Sequence, residues 1–386
     1  MAQFRRFLVA LTLAFIFLGF SNFGCREKPV RIGVVLELSG DASVYGQSIL
    51  KAVELAIDDV NQQGGIRGHP LIAIVRDAES DPNKGLHAVR SLVEEDGIRI
   101  IIGAATSTVT LAIGQYCQKH GVVLISPAAS SPQITFLGDY IFRNFPSDRL
   151  EGRMMALYLR EKFHIPSVAV IYLNNDYGRD LQKVFVSEFR RLGGRITATF
   201  EYPPGTTDFS PIIEQLNPNS FHAVYLIGYF PDLVELISTL RNTIDPKWIF
   251  SVSAIATPGA LKARNGTLEG VIFLQPAYDP NGRDPRVQKF VKKYKETYGE
   301  TPDLYAAHGY DAVMILAQNM RLFGTSPEEV QFGLFRTHGY KGVAGVTTFN
   351  DDGDVLRFPR LYMIQQGRFV PLDDARLKTL LGLKAP

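Results

Sequence analysis

Residues 30–61 read VRIGVVLELSGDASVYGQSILKAVELAIDDVN. The run at 30–36 is mostly β-branched or aliphatic, which is typical of a buried strand. Residues 47–61 place Ile, Ala and Val at helical spacing on one face, which predicts an amphipathic helix. A buried strand joined by a short loop to such a helix begins a right-handed crossover between parallel strands. This stretch therefore predicts an α/β fold built on a parallel sheet.

The alternation of strand and helix continues along the chain and restarts near residue 168. A length of 386 residues favours two domains, so the restart predicts two similar α/β lobes. The first set has predicted strands at 71–75, 98–103 and 122–126 and helices at 83–94 and 108–119. The second set has strands at 168–172, 196–200, 223–227, 248–252 and 271–274 and helices at 177–192, 209–216 and 231–241. Beyond them we predict helices at 286–298 and 304–322 and a closing β-meander at 347–349, 360–364 and 369–371.

The first 24 residues have the order of a secretory signal. Arg5 and Arg6 precede a charge-free apolar run at 7–20, which is too short to span a bilayer as a helix. We therefore predict a signal peptide at residues 1–24 and export from the cytoplasm. Its removal takes away two arginines and no acid, which leaves 39 basic and 39 acidic residues. A neutral chain without a basic stripe lacks the charge that binds phosphates, so nucleic-acid binding is set aside.

The two cysteines are not predicted to pair, although disulfides are common in exported proteins. Cys25 stands where bacterial lipoprotein precursors carry the acylated cysteine, which would anchor the protein to a membrane. The preceding SNFG matches the lipobox pattern at Gly24 but not at the two residues before it. Lipidation at Cys25 and an ordinary cleaved signal therefore remain alternatives. Cys117 falls in an apolar, helical pattern, which predicts a buried and unreactive thiol.

Sequence motifs of enzymes are absent. The chain has no phosphate-binding G-x-x-x-x-G-K-[ST], no G-x-G-x-x-G after a strand, no G-x-S-x-G and no H-E-x-x-H. Its seven histidines are isolated in sequence, and none has a Cys or carboxylate partner at metal-ligand spacing. We therefore predict no catalytic residue, no metal site and no cofactor. Catalysis by residues scattered along the chain, as in an α/β reductase, remains an alternative.

Three loops that follow predicted strands are rich in small hydroxyl residues. They are residues 38–46, which carry one aromatic residue, and residues 103–108 and 126–132. Ligands of open parallel sheets bind at this edge, beyond the carboxyl ends of the strands. In the second and third loops, hydroxyls and free backbone N–H groups meet at a predicted helix start, which favours a carboxylate site without Arg or Lys. Ordinary helix capping explains either loop alone, and the convergence of two loops favours an anion site.

At these loops the chain resembles the periplasmic leucine/isoleucine/valine-binding proteins, the type I solute-binding proteins of ABC transporters for branched-chain amino acids. The resemblance covers nearly all of residues 31–372. The matching segments are the loop at 39–46, VNQQGGIRG at 60–68, residues 77–82 and 102–108, SPA at 126–128, DYG at 176–178, GY at 228–229 and HGYDA at 308–312. It implies two Rossmann-like lobes joined by three crossing segments. The implied lobes are residues 30–145 with 277–347, and residues 146–276 with 348–386.

The resemblance also implies the roles of individual residues. The Ser107 hydroxyl would bind the carboxylate of the ligand, and Ala128 and Ser130 would add contacts from the neighbouring loop. Three tyrosines would enclose the ligand as the lobes close, although ordinary packing explains them equally well: Tyr45, Tyr177 and Tyr229.

One departure from the family concerns the amine of the ligand. Amino-acid binders of the family place a carboxylate after the strand that matches residues 248–252, where it receives the α-ammonium. Here Ser253 stands at that position and the loop has no acid. A buried ammonium without a partner is costly, so the missing acid favours an amine-free carboxylate such as a keto, aromatic or short fatty acid. For an amino acid, other acceptors are needed, and the candidates are Glu37, Asp176 and Asp232.

The sequence thus predicts a monomeric, exported solute-binding protein that captures a small carboxylate-bearing ligand and delivers it to an ABC transporter permease. A ligand-sensing receptor ectodomain of the same fold is the alternative within binding proteins. Permease and ATPase genes beside the gene for this chain would favour transport.

Overall fold

The structure is a computed structural model, and it describes residues 28–263 and 266–382. The predicted signal peptide at 1–24 and the predicted lipidation site Cys25 lie outside these ranges. Within them, every helix is too short or too polar to cross a membrane. Two large sheets organise the described chain.

The first sheet has five parallel strands in the order β2-β1-β3-β4-β5. Helices cover both of its faces, with α1 on one and α2 and α3 on the other, which is why its central strands are mostly apolar. The strands are β1 (Val30–Leu36), β2 (Leu71–Asp77), β3 (Ile100–Gly103), β4 (Val123–Ser126) and β5 (Ile141–Arg143). The helices are α1 (Ser43–Gln62), α2 (Pro82–Glu94) and α3 (Ser107–His120).

The second sheet has seven strands in the order β14-β13-β10-β9-β8-β6-β7, in which β13 pairs antiparallel with both β10 and β14 and the other pairs are parallel. The strands are β6 (Ser167–Leu173), β7 (Arg195–Tyr202), β8 (Ala223–Ile227), β9 (Ile249–Ser251), β10 (Ile272–Gln275), β13 (Arg360–Gln365) and β14 (Arg368–Pro371). The helices are α4 (Asp148–Leu157), α5 (Asp176–Arg191), α6 (Ser210–Ile213), α7 (Phe230–Thr243) and α11 (Asp374–Leu380).

The chain passes between the two sheets at residues 144–147, 276–284 and 348–359. After the second passage it forms three more helices and a small hairpin: α8 (Pro285–Tyr298), α9 (Leu304–Leu322), α10 (Pro327–Phe335), β11 (Tyr340–Lys341) and β12 (Val346–Thr347). Helix α9 packs against α1, so these elements belong with the first sheet, whereas α4 packs against α5 beside the second sheet. We call the part of the molecule around the first sheet lobe 1 and the part around the second sheet lobe 2.

The predicted α/β fold class is confirmed, and so are the strands and helices of both sets, with shifted ends. The predicted helix at 209–216 shrinks to α6, and β5, α4, α10 and α11 were not predicted. The predicted closing meander is wrong in its first strand. Residues 346–347 pair with 340–341 across a tight turn in which Gly342 N donates to Gly345 O (3.0 Å), so only β13 and β14 form the closing hairpin.

Candidate ligand-binding site

A cavity lies between the two lobes, beyond the carboxyl ends of strands from both sheets. Its empty space, including the open mouth, is about 340 Å³. Both lobes supply its uncharged walls: Tyr45, Ala105, Thr106, Ser107, Ala128, Ser130, Phe145, Tyr177, Tyr229, Ser253, Ala254 and Tyr305. The structure thus brings together all but one of the predicted ligand-binding residues, and the one outside the walls is Glu37.

Ser107 begins α3 at the cavity wall. The N-cap of α3 is the preceding residue, Thr106, whose side chain accepts from Val109 N. The Ser107 Oγ accepts hydrogen bonds from the backbone N–H groups of Ser130 (3.3 Å) and Ser131 (3.1 Å). Both bonds use Oγ as an acceptor, so its own proton is free to donate into the cavity. Together with the positive end of α3, this hydroxyl suits an anionic group of a ligand.

Glu37 lies behind the cavity wall and is fully buried. Its carboxylate accepts from Ala105 N (2.8 Å), from Thr106 N (3.0 Å) and from the Thr106 hydroxyl (2.6 Å). Burial raises its pKa above the usual range, and these hydrogen bonds lower it. Glu37 therefore holds the loop that leads into α3 and has no free oxygen directed at a ligand.

The two other predicted amine acceptors do not line the cavity either. The Asp176 carboxylate is paired with Arg179 on the same helix (2.9 Å). Asp232, on α7, lies near the Tyr202 hydroxyl (3.5 Å), and burial raises its pKa to about 6. None of the acids proposed from the sequence thus replaces the acid that is missing at Ser253.

Two tyrosines of lobe 1 hydrogen-bond to the backbone of lobe 2. The Tyr45 hydroxyl donates to Ala254 O (2.8 Å) and accepts from Phe230 N (2.8 Å). The Tyr305 hydroxyl donates to Ser253 O (3.2 Å). These contacts hold the lobes together around the cavity, so the structure is a closed conformation.

Aromatic rings enclose the remaining walls. Tyr177 and Tyr229 of lobe 2 stack with their centroids 5.8 Å apart, and Tyr45 meets Tyr229 edge-on at 5.7 Å. Tyr45 also meets Tyr305 edge-on at 4.8 Å. A ligand in the cavity would therefore contact ring faces and edges, which suits an apolar side chain.

Sequence reasoning missed two acids that lie directly behind the wall. Asp148 and Glu151 stand one turn apart at the start of α4, and both are almost completely buried. Asp148 Oδ2 accepts from the Ser130 hydroxyl (2.9 Å), while Glu151 accepts from the Ser253 hydroxyl and from Ser253 N (both 2.9 Å). The signal that could have found them is their spacing, because residues i and i+3 share the helix face that carries the buried Met155.

The described residues contain no cluster of three or more His, Cys, Asp or Glu side chains that could hold a metal ion. Cys117 is a free and buried thiol, and burial raises its pKa. The prediction that Cys117 is buried is therefore confirmed, and the raised pKa disfavours the reactive thiolate.

Comparison with protein families and relatives gives one consistent result. The family model for periplasmic binding proteins matches residues 29–367. The Leu/Ile/Val-binding protein homolog 1 of Brucella suis is 29% identical over 86% of this chain and 89% of its own length. The leucine-, isoleucine-, valine-, threonine- and alanine-binding protein of Pseudomonas aeruginosa is 22% identical over 92% of this chain and 94% of its own.

Solved structures show the same fold. A branched-chain amino acid transporter substrate-binding protein of Streptococcus pneumoniae, in complex with isoleucine, is similar with a TM-score of 0.83 and 25% identity, covering 89% of this chain and 99% of its own. A solute-binding protein of Rhodopseudomonas palustris, in complex with benzoate, is similar with a TM-score of 0.82 and 18% identity, covering 89% of this chain and 95% of its own. Solved structures of this fold thus include one bound to an amino acid and one bound to an amine-free acid, so the fold by itself does not identify the ligand.

Proposed function

We propose that this chain, which belongs to the periplasmic binding protein family, captures a small carboxylate-bearing solute between its lobes and delivers it to an ABC transporter permease. The protein would do this outside the cytoplasm, as the predicted signal peptide at 1–24 requires. Relatives named for binding leucine, isoleucine and valine support the solute class.

One observation carries this proposal: the free proton of the Ser107 hydroxyl at the start of α3, inside a cavity with no charged wall residue. A carboxylate can accept that proton and the backbone N–H groups of Ser107 and Thr108, which have no partner within the helix. The next one, Val109 N, is already bound to the Thr106 side chain. The hydrogen bonds that Tyr45 and Tyr305 make to the backbone of lobe 2 support closure around the ligand, because they can form only when the two lobes are close together.

The proposal is tested with a panel of the twenty amino acids, the 2-keto acids of leucine, valine and phenylalanine, and benzoate. At least one of these should raise the thermal unfolding temperature, because a ligand that binds only the folded state stabilises it. The same compound should lower the radius of gyration in small-angle scattering, since closure brings the lobes together. A panel without any stabilising compound would refute the proposed ligand class.

Ser107→Ala should weaken binding of the compound found in that panel about 10- to 150-fold, or about 1.5–3 kcal/mol, the range for a hydrogen bond to a charged group. Calorimetric titration measures this change. The matched control is Ser326→Ala, which removes the N-cap of α10 far from the cavity and should cost about 1 kcal/mol of stability without changing affinity. If Ser107→Ala lowers stability and leaves affinity unchanged, the hydroxyl has only a structural role.

A further inference from the structure

The two buried acids of α4 determine how the polar residues of the cavity are oriented. Ser130 gives its hydroxyl proton to Asp148, and Ser253 gives its hydroxyl proton to Glu151. Each serine oxygen is then left with lone pairs and no proton to offer. Since both serines line the cavity, they present acceptors to a ligand.

Ser107 has the opposite polarity. Its oxygen accepts hydrogen bonds from two backbone N–H groups, so its own proton is available to the ligand. The cavity therefore has a donor end at Ser107 and an acceptor end at Ser130 and Ser253. A carboxylate alone satisfies the donor end and leaves the two acceptor oxygens facing another acceptor or nothing, which is costly in a buried site.

The acceptor end also has polar atoms without a partner. Asp148 Oδ1 is among the few buried polar atoms of the described residues that have no hydrogen-bond partner. The Tyr177 hydroxyl, which lines the cavity, is another. Among the wall residues there is no cationic side chain, and Arg143, the cation that acts on Asp148, is bound to Asp354 and Ser131. A cation that meets this end from inside the cavity therefore belongs to the ligand.

We propose that Glu151, together with Asp148, receives the protonated amine of the ligand through Ser253 and Ser130, so that the solute is an amino acid and its capture releases a proton. This inference rests on the proposed function and deepens it by naming the ligand class. Glu151 reaches Ser253 from α4, and it thus supplies the carboxylate that is absent from the loop after β9.

Proton release follows from the placement of the two acids side by side in a buried site. Burial raises the pKa of Glu151 to about 7, and burial followed by the charge of Glu151 raises the pKa of Asp148. Without ligand the pair therefore holds a proton near neutral pH, and a bound ammonium favours its loss to the buffer. The titratable and charged groups that act on the pair are Arg143 from β5, Tyr177 and Asp180 from α5, Tyr225 from β8, Tyr229 after β8 and Tyr305 from α9.

The sign of the pH dependence is fixed by this scheme. A ligand that favours the ionised pair binds more tightly as pH rises, whereas an amine-free carboxylate is repelled by the ionised pair and binds less tightly. Between about pH 5 and 8 the affinity for an amino acid should increase, while that for its 2-keto acid should decrease.

The experiment titrates the purified protein with each amino acid of the panel that binds, and with the 2-keto acids of leucine, valine and phenylalanine. Calorimetry in phosphate and in Tris, whose ionisation enthalpies differ, counts the protons that are released. We expect up to about one proton for an amino acid and at least about tenfold weaker binding of the matching keto acid. A keto acid that binds as tightly as its amino acid, or binding without proton release, would overturn this inference and leave the proposed function intact. A panel without any binder would overturn the proposed function itself.

Glu151→Gln keeps the shape of the side chain and removes its charge. It should weaken amino-acid binding about 10- to 150-fold and abolish most of the proton release, with little effect on a keto acid. The control is Asp311→Asn, which neutralises another buried acid whose partners, Val343 N and Ala344 N, lie away from the cavity. Equal losses in both variants would assign Glu151 a general structural role. If Glu151→Gln does not fold, the number of protons released by the unmodified protein still tests whether the acid pair receives the amine.

Discussion

Replacing Arg143 by methionine is expected to lower the free energy of unfolding by about 3–5 kcal/mol, the usual cost of removing one partner from a buried ion pair. Arg143 ends β5, and its side chain is completely buried. Its guanidinium binds both oxygens of Asp354, with Nε to Oδ1 at 2.6 Å and Nη2 to Oδ2 at 2.8 Å. A third contact runs from Nη1 to Ser131 O (2.7 Å).

The position of this ion pair explains the size of the expected effect. Arg143 directly precedes the first passage between the lobes, and Asp354 lies within the third. The pair therefore fixes two of the connecting segments to each other. Methionine fills similar volume but removes the guanidinium donors from the Ser131 carbonyl and from the Asp354 carboxylate, which keeps the hydrogen bond from the Thr135 hydroxyl (2.8 Å). These groups are largely shielded from water.

Chemical denaturation of the ligand-free protein measures the loss. The control is Arg191→Met, which breaks a two-pronged pair with Glu188 on the exposed face of α5 and should change stability little. Arg143→Lys should recover only part of the loss, because a lysine cannot bind both carboxylate oxygens in a fork. A loss for Arg143→Met as small as that of the control would show that the connecting segments hold without this pair.

The fold could be predicted because its signals are local. Strand β8 is apolar from end to end and β1 is apolar except at Arg31, whereas helices such as α5 carry apolar residues on one face. Each element is therefore visible within ten to twenty residues of sequence. The pairing of β12 with β11 could not be read in this way, because it depends on a glycine turn between two strands of two residues each.

The walls of the site could also be predicted, since loops that follow parallel strands meet at one edge of a sheet. The charge behind those walls could not. Glu151 and Ser253 are 102 positions apart in sequence, and nothing near either residue indicates that α4 meets the loop after β9. Glu37 illustrates the converse error: the end of a strand does place its acid beside the cleft, but neighbouring backbone N–H groups occupy its oxygens. Long-range contacts decide which buried acid faces a ligand.

The two lobes share one local feature. In each lobe, the helix that follows the first strand of the sheet carries a tyrosine and then a glycine in its first turn: Tyr45-Gly46 in α1 after β1, and Tyr177-Gly178 in α5 after β6. Both tyrosines line the cavity. A Cβ atom built on Gly46 would lie 2.0 Å from Glu37 O, and one on Gly178 would lie 2.0 Å from Leu173 O. Each glycine therefore lets its helix pack directly on the backbone at the end of the preceding strand.

Gly178→Ala is accordingly expected to lower the free energy of unfolding by about 3–5 kcal/mol, at the upper end for overpacking, because the obstructing atom is backbone and cannot rotate away. Helix propensity alone predicts the opposite sign, a gain of about 1 kcal/mol for alanine over glycine. Thermal and denaturant unfolding separate the two outcomes, and the yield of soluble protein is the measurement if the variant does not fold.

Gly205→Ala is the control: its Cβ would meet nothing within 4 Å, so only the strain of its left-handed backbone remains, about 1–2 kcal/mol. The clash would also push α5 from β6 and move Tyr177 in the cavity wall, so ligand affinity should fall in any Gly178→Ala protein that folds. Unchanged stability would mean that α5 can shift without cost. The close approach of α5 to β6 would then not be the reason for the position of Tyr177.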